Sequence, residues 1–204
     1  MIVFKYIAVA VVSYFLGSLS ISIMMSRQFL GGDVRTKGSG NAGATNMARV
    51  YGMKAGFLTL AGDVMKAIVS VLIGWLLLGE TGIAVGGVAC LVGHCFPVLH
   101  HFHGGKGVSV GAAIALAIDW RVFLVVVGCF LLVAFLSKKV SLGSVCAAVS
   151  IFFASLIFEV SIPRLVLSAV GMVLVVFQHK DNLRRLIKGT EPDFKAAKQK
   201  KKTA

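Results

Sequence analysis

Ala55-Gly-Phe-Leu-Thr-Leu-Ala-Gly-Asp-Val-Met-Lys-Ala-Ile-Val-Ser-Val-Leu-Ile-Gly-Trp-Leu-Leu-Leu78 is an apolar run interrupted only by Asp63 and Lys66. It exceeds the roughly 20 residues that a helix needs to cross the hydrocarbon core of a bilayer. Similar runs surround it. Hydrophobic windows give seven candidate helices, at about 3 to 25, 55 to 78, 82 to 99, 107 to 118, 120 to 137, 142 to 158 and 163 to 178. The expected fold is therefore all-α, a polytopic helical membrane protein with about seven transmembrane helices. Several runs fall short of a full crossing, the fourth most clearly, so five spans with two re-entrant segments is the alternative.

Composition supports this class. The 204 residues are 57% hydrophobic and only 14% charged, and the mean hydropathy is +0.90; soluble domains average roughly 25% charged residues. The first run carries Lys5 ahead of an apolar core, as a signal peptide would. Its apolar stretch exceeds the usual length and more spans follow, so we read it as a retained helix. Cys90, Cys95, Cys129 and Cys146 lie in or beside apolar runs without paired spacing and read as reduced core residues, neither a disulfide set nor a zinc site.

The net charge of +13 has no folded basic domain to hold a duplex, so nucleic acid is not an expected partner. Membrane lipids and phosphorylated substrates are. With the N-terminus outside, Arg27, Arg35, Lys37, Arg49, Lys54, Lys106, Lys138, Lys139 and the basic tail from Lys180 to Lys202 all fall on the inner side. Only Lys5, Arg121 and Arg164 fall outside, and the positive-inside rule then puts the C-terminus in the cytoplasm. Residues 1-190 form one membrane-embedded unit, and 191-204 read as a disordered basic tail.

Three polar segments interrupt the apolar runs. The first, from Arg35 to Arg49, holds Gly38-Ser39-Gly40-Asn41-Ala42-Gly43, then Thr45 and Asn46. Its glycines permit close backbone approach, its hydroxyls and amides donate, and Arg49 offers a planar fork to a phosphate. A dinucleotide fingerprint would need a preceding strand and a βαβ unit, and here a membrane helix precedes it. The second, from Gly93-His94 to Ser109, contains Gly104-Gly105-Lys106-Gly107; its spacing does not make a P-loop, yet a glycine turn with an ammonium at a helix start suits an anion. His94, His100, His101 and His103 lack a neighbouring carboxylate and the i, i+4 pairing of a zinc helix, so no metal is expected. The third, Gln178 to Glu191, places His179 and Asn182 one helical turn apart. Asp63 and Lys66, at i, i+3 inside a span, can pair with each other, and a functional role and a structural ion pair are both open.

Taken together, Gly-Ser-Gly-Asn-x-Gly-Ala-Thr-Asn-x-x-Arg, Gly-His-x-Phe-Pro with Phe-x-Gly-Gly-Lys-Gly-Val, Ser141-Leu-Gly, and His-x-x-Asn-x-x-Arg with Gly-x-Glu191 resemble the PlsY family of acyl-phosphate:glycerol-3-phosphate acyltransferases. The resemblance runs from Gly17 to Glu191. Ala42, Ala67, Ser109-Val110 and Gln178 depart from residues common in that family, Gln178 standing where Arg is frequent.

The resemblance implies acyl transfer from acyl phosphate to the 1-hydroxyl of glycerol 3-phosphate, giving lysophosphatidate and phosphate at the bacterial inner membrane, an early step of phospholipid synthesis, with no cofactor. It puts Ser39, Arg49, Lys106, His179 and Asn182 at catalytic positions. It puts Gly38, Gly40, Asn41, Gly43, Thr45, Asn46, His94, Gly104, Gly105 and Gly107 at substrate-binding ones, and makes the enzyme that produces acyl phosphate an expected partner. The His-x-x-x-x-Asp pair of other glycerol-phosphate acyltransferases follows none of the histidines here. A small organic-phosphate transporter is the rival reading, but the chain shows no internal repeat of the kind common in transporters.

Overall fold

The computed structural model describes residues 1–195; the lysine-rich run expected to form most of the tail lies outside the described residues. Every regular element among the described residues is helical. They are α1 (Ile2–Ser18), α2 (Ile21–Phe29), α3 (Ala44–Tyr51), α4 (Met53–Cys95), α5 (Val108–Ile118), α6 (Trp120–Ser137), α7 (Val140–Ile157), α8 (Ile162–Gln178) and α9 (Lys180–Ile187). The expected all-α membrane fold is present.

Helix α4 is a hairpin. Gly79, at φ 63° and ψ −139°, reverses its direction, a backbone state that costs a side-chain-bearing residue dearly. The two arms close tightly beyond the turn: a Cβ on Gly74 would lie 2.0 Å from the Gly82 carbonyl oxygen. The second arm meets α1 in the same way, a Cβ on Gly93 falling 2.2 Å from the Tyr14 carbonyl oxygen and one on Gly17 falling 2.2 Å from that of Cys90. In lipid, where helices gain little from burying apolar surface, such small-residue contacts bring backbones together. Large apolar side chains such as Phe57, Leu76, Leu131, Phe135 and Val173 point outward, as expected where the solvent is hydrocarbon.

Four stretches are long and apolar enough to cross a membrane: Ile2–Phe29, Met53–His100, Trp120–Ser137 and Val140–Ile157. The bent pair α8 and α9, with a 59° angle between them, makes a fifth. Because the second stretch folds back at Gly79, the chain traverses the bundle more often than it has long spans. Helix α5, with 11 residues, rises only about 16 Å, near half of a bilayer core. The expected helix at 82 to 99 stops at Cys95, and the loop that follows leaves Val98, Leu99, His101, Phe102 and His103 exposed. Two further departures matter. The expected helix at 3 to 25 breaks at Leu19-Ser20, and the polar segment between Arg35 and Arg49 holds the unforeseen helix α3.

Side-chain contacts assign the loops to two ends. Tyr6 meets Thr81 at 2.9 Å, Glu80 pairs with Arg164 at 2.6 Å, and Arg164 reaches the Ile118 carbonyl at 2.7 Å. At the other end Arg35 bonds the carbonyls of His100 and His103 at 3.1 and 3.2 Å, and Lys139 pairs with Asp193 at 3.1 Å. The three polar segments and the last described residues thus share one end of the bundle.

Candidate active site

Asn46 organises the first segment. Its Oδ1 accepts from the Ser39 backbone N–H at 2.9 Å, while its Nδ2 donates to the carbonyls of Val34, Lys37 and Asn41 at 3.1, 3.0 and 3.0 Å. With a relative exposure of 1%, this amide builds the loop, and the sequence expectation of a donor free for substrate is corrected. Gly38 sits against it at φ 61°, and a Cβ there would strike Asn46 Oδ1 at 2.3 Å. Asp33 shapes the same loop from below: it accepts from the Arg35 N–H at 2.9 Å and holds the guanidinia of Arg35 and Arg27 at 2.8 Å each. The Arg35 side-chain hydrogen bonds hold the Asp33 carboxyl well below the usual carboxylate range despite partial burial. Arg35 is therefore a tie between loops. Ser39 and Gly40 are exposed, and Asn41, Gly43, Thr45 and Arg49 of the same segment are half-buried.

The second segment folds onto His94. Gly105 donates its N–H to the His94 carbonyl at 3.1 Å, and a Cβ on Gly105 would meet the His94 Nε2 at 2.2 Å and the Ala42 carbonyl at 2.9 Å. Gly104 is as close, a Cβ there falling 2.1 Å from the His94 carbonyl oxygen. Gly107 caps α5. His94 is itself buried, its Nδ1 3.1 Å from Lys66 Nζ and 3.6 Å from Asp63 Oδ1. The expectation that the ring lines the substrate site is thus modified: one edge is committed to a buried ion pair.

The third segment brings in two more walls. Lys106 Nζ donates to Asn182 Oδ1. The Asn182 Nδ2 donates to Glu191 Oε1 at 2.6 Å, which also accepts from Ser141 Oγ at 2.7 Å, and Arg185 Nε donates to Oε2 at 2.7 Å. Burial pushes the Glu191 carboxyl up, but these three hydrogen bonds and the Arg185 charge outweigh it and hold it ionised. Glu191 is 7% exposed, which corrects the expected boundary: the folded unit includes the residue placed first in the tail. Burial lowers the Lys106 ammonium pKa, the Arg185 charge adds to this, Glu191 and Asp181 oppose it, and Arg49 is near enough to lower it further. His179, in the corner between α8 and α9, turns Nδ1 to the Val175 carbonyl at 2.7 Å, which leaves Nε2 as its other face. Gln178 donates to the Gly105 carbonyl at 3.1 Å.

Between these segments opens a cavity of about 690 Å³, lined by Gly40, Gly104 and Gln178 from the three segments in turn, with Arg35, Phe102 and Lys180 at its walls. Ser39, Arg49, Lys106, His179 and Asn182 are not in its lining, although Ser39 and His179 adjoin lining residues in sequence and Lys106 bonds Asn182. The sequence did not single out Glu191, Ser141 or Arg185 as site residues, although all three stand in matched motifs. One signal was available: eight carboxylates face 21 lysines and arginines, so an acid among basic residues is bound to be claimed by several of them.

Comparison with known proteins identifies the family. A family model described as glycerol-3-phosphate acyltransferase matches residues 7–189. The glycerol-3-phosphate acyltransferase of Clostridioides difficile (strain 630) is 38% identical over 198 residues, covering 93% of this chain and 95% of its own. That of Thermoanaerobacter sp. (strain X514) is 36% identical over 182 residues, covering 89% and 92%. The crystal structure of PlsY (YgiH), an integral membrane glycerol 3-phosphate acyltransferase in its glycerol 3-phosphate form, superposes with a TM-score of 0.89 at 30% identity, over 93% of this chain and 96% of that one. Its lysophosphatidic acid form gives a TM-score of 0.86. The chain belongs to the glycerol-3-phosphate acyltransferase family.

Proposed function

We propose that this protein transfers an acyl group from acyl phosphate to the 1-hydroxyl of glycerol 3-phosphate, producing lysophosphatidate and inorganic phosphate. The observation that carries the reading is the convergence of three distant polar segments on one open cavity, with Lys106, Arg49 and Arg185 within electrostatic reach of one another. Three cations with two nearby carboxylates, Glu191 and Asp181, leave a positive excess that suits ligands bringing negative charge of their own. Both substrates carry phosphate, and the PlsY (YgiH) structures named above are a glycerol 3-phosphate form and a lysophosphatidic acid form.

The chemistry asks little of the protein beyond placement. Acyl phosphate is an activated anhydride: the glycerol oxygen attacks its carbonyl carbon, a C–O ester bond forms, and the C–O bond to phosphate breaks. The hydroxyl proton leaves on a phosphate oxygen, so no covalent enzyme intermediate and no cofactor is required. In this reading Arg49 and Lys106 hold the phosphates, Ser39 and Asn182 orient them, the Gly104–Gly107 turn and the rim of Gly38, Gly40, Asn41, Gly43 and Thr45 present backbone and side-chain donors, and His179 stands beside the leaving group. Fixed donors aimed at the developing oxyanion supply the main rate term.

The basic end of the bundle is read as cytoplasmic, with the N-terminus outside and the protein in the bacterial inner membrane. An enzyme that makes acyl phosphate is the expected supplier. Donor choice is the test: purified protein given glycerol 3-phosphate should form lysophosphatidate with palmitoyl phosphate and not with palmitoyl-coenzyme A. Efficient use of the thioester alone would overturn the donor assignment.

A further inference from the structure

Asp63, Lys66 and His94 sit inside the bundle at relative exposures of 2%, 6% and 5%, and none takes part in the chemistry above. Charges at such depth are costly to bury and persist where something holds them. Lys66 Nζ lies 3.0 Å from Asp63 Oδ1, 2.9 Å from the Gly17 carbonyl oxygen, 2.8 Å from that of Leu19, and 3.1 Å from His94 Nδ1. An ammonium has three hydrogens for these four acceptors, so one is shared between Asp63 and His94. Facing a cation, Nδ1 acts as acceptor, and the ring proton is on Nε2.

Two walls of the cavity depend on this ammonium. Gly17 and Leu19 are the carbonyls left without helical partners where α1 gives way to α2, and α2 leads into the Ser39 loop. His94 is the surface on which the Gly104-Gly105 turn rests, its Nε2 occupying the place a Gly105 side chain would need. The other faces of Gly105 meet the Ala42 carbonyl and the Gln178 amide. Lys106 follows directly. Elsewhere in this bundle helices are joined by glycine contacts without charge, as between Gly93 and Tyr14, so a tether alone would not call for a buried carboxylate, ammonium and imidazole.

We infer that Asp63, Lys66 and His94 are positioning residues, a buried network that sets the Gly104-Gly105 turn, and through it Lys106, for glycerol 3-phosphate. The inference rests on the acyltransferase reading given above. The test is initial-rate kinetics on the purified, monodisperse protein in nanodiscs, each substrate varied in turn, for the parent, Lys66→Met, His94→Ala, His94→Asn and the double variant Lys66→Met/His94→Ala. The expected result is a KM for glycerol 3-phosphate raised about ten-fold or more in both alanine and methionine variants, with the KM for acyl phosphate held within about two-fold. The double variant should be no worse than the worse single one, because both act through one network. His94→Asn, whose amide reaches the Nδ1 position, should stay closer to the parent. An unchanged KM for glycerol 3-phosphate, or a double variant whose loss is the product of the single losses, overturns the network. Should Lys66→Met yield no folded protein, equal KM values for His94→Ala and the parent overturn it as well. A parent inactive with acyl phosphate defeats the acyltransferase reading instead, whereas an active parent with normal variants defeats only the network.

Discussion

Lys106 and Asn182, 76 residues apart, meet through an Nζ–Oδ1 hydrogen bond whose amide is oriented from behind by Glu191 at 2.6 Å. The lysine assigned to phosphate is thus aimed by an amide, and the amide by a carboxylate. Removing the amide in Asn182→Ala should lower kcat/KM on the order of 100-fold, the usual loss for a fixed donor or its orienter. Glu191→Ala leaves Ser141, Asn182 and Arg185 without their shared acceptor, and should also cost roughly 2 kcal/mol of stability. Rates with both substrates and thermal unfolding check this; parent-like behaviour of Glu191→Ala would refute the hub.

Arg49 stands in the last turn of α3 with no hydrogen bond or ion pair among the described residues, while Arg27, Arg35, Arg121, Arg164, Arg184 and Arg185 are each paired to a carboxylate. Arg49→Ala should lower kcat/KM roughly 100-fold or more with little change in melting temperature, and Arg49→Lys should recover only part, lacking the planar fork. A variant that turns over both substrates normally would remove Arg49 from the site.

His179 is buried at the end of α8, and that burial, with the Lys106 charge, lowers its pKa from 6.5 to about 4 against the opposing Val175 hydrogen bond. The imidazole is neutral at pH 7 in folded and unfolded chains alike, so its contribution to stability is complete above pH 6.5. As pH falls from 6.5 toward 4, the unfolded chain binds the proton first and stability is lost. Melting temperatures in detergent at pH 7.5, 5.5 and 4.5 should drop less steeply for His179→Gln than for the parent. If the substrate phosphate takes the proton, His179→Ala also keeps its pH–rate profile in shape while losing rate; a vanished acidic limb would instead make His179 the base.

A side chain on Gly93 meets backbone. Its Cβ would lie 2.2 Å from the Tyr14 carbonyl oxygen and 3.1 Å from the Ser18 nitrogen, atoms that cannot rotate away. Gly93→Ala should destabilise the protein by about 1–3 kcal/mol, the usual range for overpacking, seen as a lower melting temperature. Gly111→Ala, with open space around it, is the control and should melt like the parent.

The spans were legible because hydropathy decides them: α6, α7 and α8 lie where apolar runs put them, within a few residues. What escaped the sequence depends on contacts between distant residues. The break at Leu19-Ser20 carries no proline or glycine; it is stabilised by Lys66, whose ammonium takes carbonyls a continuous helix would have used internally. The pairing of Arg35 was not legible within the glycine-rich segment because Asp33 lies just outside it, and Asn46 looked like a free donor because nothing local shows four partners around one amide. Helix α3 was hidden by its small and polar residues, poor markers of a helix, and it forms against α4, where Ala48 packs on Gly56. Ser39, Lys106, His179 and Asn182 are proposed as site residues on motif resemblance; that Glu191 joins Asn182, Ser141 and Arg185 was not legible, since those residues approach only in the folded bundle.

The most direct test of the account is to supply the purified protein with palmitoyl phosphate and glycerol 3-phosphate and to measure inorganic phosphate and lysophosphatidate in the same reaction. Transfer without a covalent intermediate predicts one phosphate released per lysophosphatidate formed, and no phosphate burst when glycerol 3-phosphate is withheld. Phosphate release without lysophosphatidate, or no turnover by folded protein, would contradict it.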